Sequence, residues 1–246
     1  MPAEIRHMKW WGWGYEDVTF DDSNKPELWP YFERELKIGE IEWTRPVAFE
    51  DIDLPGQKRN EPFFGEIRGT IDEGQIAGDK KARLIHAAGK SFRDLWLLRH
   101  GIVKHAPDCV VFPESEEDIA AIVRAAHEHG VVLIPFGGGS NIVGCLDPRD
   151  RNGRMVISLD LCRMHRVLEV DQHSLTARIQ PGVYGQPLED QLAEHGVTLG
   201  HFPDSFLHST LGGWVATRSA ASSDATNSPP LTRMATKSQV VRDCTG

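Results

Sequence analysis

Cysteine is scarce, with 4 in 246 residues. Cys109, Cys145, Cys162 and Cys244 are scattered, with no Cys-x-x-Cys pair and no histidine nearby at zinc-ligand spacing. A disulfide framework is therefore excluded, and free thiols are expected. The 11 histidines are dispersed. His127 and His129 lie two apart on a predicted helix and point in different directions, so no metal site is expected. Positive charge is in deficit: 27 Lys+Arg against 36 Asp+Glu give a formal charge of −9. Nucleic acid and anionic membrane surfaces both need a basic field, so neither is an expected partner. No apolar run approaches the roughly 20 residues of a membrane-spanning helix. Residues 1–9 lack the apolar core of a secretory signal. With 40% hydrophobic and 26% charged residues, the chain reads as globular and cytoplasmic, with room for one large domain or two small ones.

What is present is unevenly distributed. Lys9-Trp10-Trp11-Gly12-Trp13-Gly14-Tyr15 places three of the seven tryptophans within four positions. Such a segment is expected to clamp onto the body of the protein rather than stack on a ligand. Leu28, Tyr31, Phe32 and Leu36 have helical spacing. Pro46, Pro55 and Pro62 with several glycines make 44–78 read as loop-rich. Ser91 opens a helix through Arg99. Beyond it the pattern is regular: a strand at 109–112, then a helix with Ser115 as N-cap, acidic Glu116, Glu117 and Asp118 in its first turn, and Gly130 as its stop. Strands are predicted at 131–135, 155–159, 167–170 and 175–179 in one mixed sheet, and helices at 187–195 and 209–217. The class is α+β.

The most informative stretch is Val131-Val132-Leu133-Ile134-Pro135-Phe136-Gly137-Gly138-Gly139-Ser140-Asn141. A buried strand delivers three glycines, which accept positive φ and let backbone N–H groups approach an anion. Successive N–H groups form a nest for phosphate oxygens, with Ser140 and Asn141 as neutral donors. An acidic protein can hold a pyrophosphate this way without a basic surface. The loop is neither a Gly-x-Gly-x-x-Gly fingerprint nor a Walker loop. On spacing alone, a plain glycine turn remains the competing reading.

Further motifs occur in order: Pro107-Asp108-Cys109-Val110-Val111-Phe112-Pro113, Ile157-Ser158-Leu159-Asp160, Gln180-Pro181-Gly182-Val183, Gly200-His201-Phe202-Pro203-Asp204-Ser205 and Ser209-Thr210-Leu211-Gly212-Gly213-Trp214-Val215-Ala216-Thr217-Arg218-Ser219. With the glycine loop they resemble the PCMH-type FAD-binding domain of the vanillyl-alcohol-oxidase superfamily. Within it, the nearest resemblance is to the alkyldihydroxyacetonephosphate synthase family and its bacterial FAD-linked oxidase relatives. The tryptophan-rich opening resembles that family's start. The likeness is loose before Ser91 and specific from Pro107 onward.

The resemblance implies non-covalent FAD, since the histidine that tethers it in some relatives is absent from this loop. It maps the pyrophosphate onto Pro135, Phe136, Gly137, Gly138, Gly139, Ser140 and Asn141. A second flavin segment maps onto Asp204, Ser205, Phe206, Leu207, His208, Ser209 and Thr210, and a third onto Thr217, Arg218, Ser219 and Ala220. Tight helix packing at 209–213 and a surface ion pair at Arg218 are the competing readings. His201 is read as a structural hydrogen-bonding residue beside the second segment. No catalytic residue is assigned. The implied reaction exchanges the acyl chain of acyl-dihydroxyacetone phosphate for a fatty alcohol, in ether-lipid synthesis. The alternatives are a FAD-linked 2-hydroxy-acid or alcohol oxidoreductase and a non-catalytic nucleotide-binding module. The implied partner is a small-molecule or lipid substrate, with a homodimer where the chain is complete.

After Ala220 the family pattern gives way. Residues 221–246 hold no Phe, Trp or Tyr, are rich in Ser and Thr, and include Pro229-Pro230. The expected organisation is an N-terminal extension at 1–90, an incomplete FAD-binding domain at 91–220 and a divergent, disordered tail at 221–246. A product truncated by an altered frame or splice near residue 221 is expected, retaining FAD weakly or not at all and turning over no substrate.

Overall fold

A computed structural model describes residues 6–19, 21–41, 44–219 and 232–233. The tail expected to be disordered lies outside these residues, apart from Thr232–Arg233.

A four-stranded sheet in the order β1-β2-β4-β3 organises the centre. β2 (Cys109–Val111) and β3 (Val132–Phe136) both run parallel to β4 (Val156–Asp160), and β1 (Ile76–Ala77) pairs antiparallel with β2. β4 lies between two parallel neighbours and is buried throughout, its polar Ser158 and Asp160 included. Register places Phe136 opposite Asp160, so the C-terminal ends of β3 and β4 arrive together. The outer side of β3 is unpaired among the described residues.

The crossover from β2 to β3 is α5 (Glu116–His129). The Ser115 hydroxyl accepts from the Asp118 N–H at 3.0 Å, and Gly130 closes the helix at φ 65. Ile122, Ala125 and Ala126 face the sheet, packed with Val111, Ile157 and Leu159.

The same core takes Phe63, Phe64 and Ile67 from α2 (Glu61–Ile67), within the stretch read as loop-rich. Pro62 does not break this helix. It occupies the first turn, where its missing N–H would be unpaired in any case, and the Asn60 side chain caps it by accepting from the Phe63 N–H at 3.1 Å. α3 (Lys80–Ile85) follows β1, capped by Asp79. The expected helices α1 (Leu28–Leu36) and α4 (Phe92–Arg99) are present.

β5 (Val167–Asp171) and β6 (Thr176–Ile179) form an antiparallel hairpin of their own rather than joining the main sheet. Its apolar face covers a second core of Leu188 and Leu192 from α6 (Gly185–Ala193), with Val183, Val197 and Trp214. β7 (Val197–Thr198) pairs parallel with β8 (Thr232–Arg233). α7 (Leu211–Thr217) starts two residues later than its sequence pattern because the Thr210 hydroxyl serves as its cap. No helix among the described residues is long and apolar enough to cross a membrane.

The N-terminal arm is packed down. Met8 and Trp10 are each 4% exposed, and Trp10 joins Ile52, Leu84 and Leu98 in a third core. Replacing Trp10 with alanine is expected to cost about 3–5 kcal/mol. A urea unfolding series on the two proteins measures it, and a loss under about 1 kcal/mol would contradict the burial.

Candidate functional site

β3 carries the chain out of the sheet at Phe136 into Gly137, Gly138 and Gly139. A Cβ on Gly137 would stand 2.3 Å from Thr210 Oγ1, and one on Gly138 would stand 2.0 Å from the His208 carbonyl oxygen. Gly139 has φ +71 and is buried against the Phe136 ring. The glycines thus let the loop lie directly on 208–210. The first two predicted segments meet here although they are some seventy positions apart in sequence.

The backbone N–H groups of Gly137, Gly138, Gly139, Ser140 and Asn141 donate to no other described residue. Five successive donors beside a strand end form a nest suited to an anion. Asn141 also shapes the loop. Its side-chain oxygen accepts from the Val143 and Cys145 N–H groups at 3.1 and 3.0 Å. Behind it, the Lys90 N–H donates to the Asn141 carbonyl at 2.7 Å. A Cβ on Gly89 would fall 2.0 Å from that same oxygen. Pro135 is exposed, and Phe136 is buried beneath the loop.

In the second segment the hydroxyls are largely engaged with one another. Ser205 Oγ donates to Ser209 Oγ at 3.1 Å, Ser209 Oγ donates to the Ser205 carbonyl at 2.8 Å, and the Trp214 indole donates to Ser209 Oγ at 2.6 Å. Asp204 and Leu207 are exposed, and Phe206–His208 form a short 3-10 turn. Thr210 is buried at 1% exposure against the glycine loop. The third segment sits at the far end of α7, about 10 Å away by helical rise. There Thr217 Oγ1 donates back to the Gly213 carbonyl at 2.8 Å, and Arg218 is exposed at φ 51 with no ion pair among the described residues. Ser219 closes the helix through its N–H to the Trp214 carbonyl. Ala220 lies outside the described residues. His201 packs its ring 5.0 Å from Trp214.

Several site residues were not identified from sequence. Asp160, fully buried at the end of β4, accepts at 2.8 Å from His86 Nε2, and His7 Nε2 lies 3.4 Å from the same oxygen. His86 Nδ1 is 2.7 Å from the Ala82 carbonyl, an acceptor only, so that nitrogen carries hydrogen. Burial alone would raise the Asp160 carboxyl. The hydrogen bond and charge of His86, with His7 and the Cys162 contact, outweigh it and hold the group below its ordinary value. Phe136 lies 4.0 Å, ring to ring, from His86, which seats this buried pair directly under the glycine loop. The arm closes the other side. Tyr15 packs its ring 5.1 Å from that of His208 and donates to the Leu207 carbonyl at 3.0 Å. Burial, then Lys90, lowers the His208 imidazole. Asp160 belonged to a quoted motif, but His7, His86 and Lys90 carried no local signal, since only the tertiary fold brings them here.

Residues 107–228 match the family described as an FAD binding domain. An alkyldihydroxyacetonephosphate synthase of Dictyostelium discoideum is 44% identical over 202 residues, covering 79% of this chain and 33% of the relative. The enzyme so named in Trypanosoma brucei brucei is 43% identical over 166 residues, covering 67% of this chain and 27% of its own length. A solved alkyldihydroxyacetonephosphate synthase structure superposes with a TM-score of 0.80 at 40% identity, covering 89% of this chain and 45% of that one. The chain thus spans about a third of the curated relatives it matches.

Proposed function

We propose, for a chain whose residues 107–228 are a member of the FAD binding domain family, that it is the flavin-holding part of an alkyldihydroxyacetonephosphate synthase. The reaction would exchange the acyl chain of acyl-dihydroxyacetone phosphate for a fatty alcohol, in ether-lipid synthesis. The observation that carries the reading is the glycine loop seated on 208–210, its five backbone donors without acceptors among the described residues. FAD is the cofactor. The residues present fit its pyrophosphate, because backbone N–H groups supply a neutral, closely approachable anion site.

In this reading Pro135 to Asn141 hold the pyrophosphate non-covalently. Asp204 to Thr210 line the path toward the ring, and Thr217 to Ala220 meet the cofactor one helix length further on. Residues 91–220 supply these contacts, and 1–90 brace them. When bound, the flavin supplies the electron-accepting ring; the protein orients it and shapes its surroundings. The reading includes a small-molecule or lipid substrate, a cytoplasmic address and a homodimer in the complete protein. Support for the substrate class is the similarity to the synthases.

FAD titrated into the purified chain, followed by flavin fluorescence, is expected to saturate with Kd on the order of 1–100 μM and to wash out on desalting. Disrupting the gene of the complete protein in its source is expected to deplete ether lipids. Unchanged ether lipids with lost dye-linked oxidation of 2-hydroxy acids would replace this function by the oxidoreductase one.

A further inference from the structure

Lys90 is a buried cation with no counter-ion among the described residues. The residue is 5% exposed. Its ammonium donates one hydrogen bond, to the Lys9 carbonyl at 2.7 Å, and no carboxylate lies within 4.0 Å of it among the described residues. An ammonium has three donors, and leaving a buried one so thinly matched is unfavourable.

The groups that face it are few. Asp94 on α4 favours its charge from beyond ion-pair distance, while Lys9 opposes it, and burial pushes the amine down to about 8. Burial and then the Lys90 charge disfavour protonation of His208, and Lys90 adds to the burial that does the same to His7. Asp160, the fully buried carboxylate of the site, is engaged by His86. Meanwhile the Lys90 N–H is fixed to the Asn141 carbonyl of the glycine loop at 2.7 Å. The residue that carries this cation is thus bonded through its backbone to the loop whose N–H groups at 137–141 donate to no other described residue.

We propose that Lys90 is a binding residue for the pyrophosphate of the dinucleotide held on 137–141, supplying the positive charge that the backbone nest lacks. This rests on the FAD reading above. It also offers a way for a chain of net charge −9 to hold a dianion, with one buried ammonium adding local positive charge. A charge-assisted contact to phosphate is stronger than a neutral one and is felt more in a dry site. The competing role is a strap, with Lys90 serving only to tie the arm at Lys9 to the body.

The test compares the full chain with Lys90→Met and Lys90→Arg, titrating FAD and riboflavin separately and recording ligand-free melting. The expected result is FAD affinity about 10- to 100-fold weaker in Lys90→Met, riboflavin affinity unchanged within about 2-fold, and FAD affinity largely restored in Lys90→Arg. Equal loss for FAD and riboflavin with a lower melting temperature would make Lys90 a strap and overturn the proposal. So would unchanged FAD affinity. Wild-type chain that binds neither FAD nor ADP at about 1 mM overturns the FAD reading and this inference together. Should Lys90→Met fail to fold, the wild-type melting shift given by ADP decides. That shift is expected to shrink as pH rises past about 8, and its persistence to about pH 9.5 overturns the proposal.

Discussion

Gly138→Ala is expected to abolish saturable FAD binding and to destabilise the chain by about 3 kcal/mol or more. The new Cβ would fall 2.0 Å from the His208 carbonyl oxygen and 2.8 Å from Ser209 Cα. Both obstacles are backbone, so no rotamer change relieves the overlap. The loop must lift off 208–210, and the nest loses its floor. Gly130→Ala is the comparison. Gly130 also has positive φ, at +65, but nothing lies within 4 Å of an added Cβ. Its cost is expected at about 1 kcal/mol, from the left-handed conformation alone, with FAD affinity intact. Denaturant melts and flavin titration of the two variants separate the effects. A Gly138→Ala protein with wild-type stability and affinity would mean that the loop does not rest on 208–210.

Asp160→Asn is expected to destabilise the chain by about 3–5 kcal/mol, because it leaves the buried His86 edge facing a group that cannot carry the matching charge. Its partner sits 2.8 Å away and both side chains are at most 1% exposed. Replacing both residues, as His86→Phe with Asp160→Leu, is expected to recover most of that loss, since the desolvation disappears with the charge. The wild-type pair also sets an acid limit. The folded state holds the Asp160 carboxyl below its unfolded value of 3.8. Its contribution is therefore fully present above that value and is lost as pH falls through the lower folded value. Urea unfolding between about pH 6 and pH 2 should show this loss in the wild type and a flatter profile in Asp160→Asn. Parallel profiles would remove Asp160 as the titrating group.

The central strands and α5 were legible because their signals are local: apolar runs bounded by proline and glycine, and a Ser115 cap with Gly130 at the other end. The glycine loop was legible as a turn at the end of a strand for the same reason. What it rests on was not, since Thr210 and the His208 carbonyl reach it only through tertiary packing. Pro62 was misread because a proline in a first helical turn and one in a loop look alike until the Asn60 cap is seen. The hydroxyls of Ser205, Ser209 and Thr217 fit a ligand by type, yet the fold engages each of them internally. His86 meets Asp160 across 74 positions, beyond the reach of any periodicity.

The bond from Tyr15 to the Leu207 carbonyl joins groups 192 residues apart. During synthesis at about 5–20 residues per second, the arm waits on the order of 10–40 s before its docking surface leaves the ribosome. Until then Trp13 and Tyr15 lack their partner at 207–208, whereas Trp10 and Trp11 can settle once Leu84 and Leu98 are made. The nascent chain therefore passes through a prolonged stage in which its earliest-made segment is its most adhesive one, and chaperone demand should be greatest in that interval.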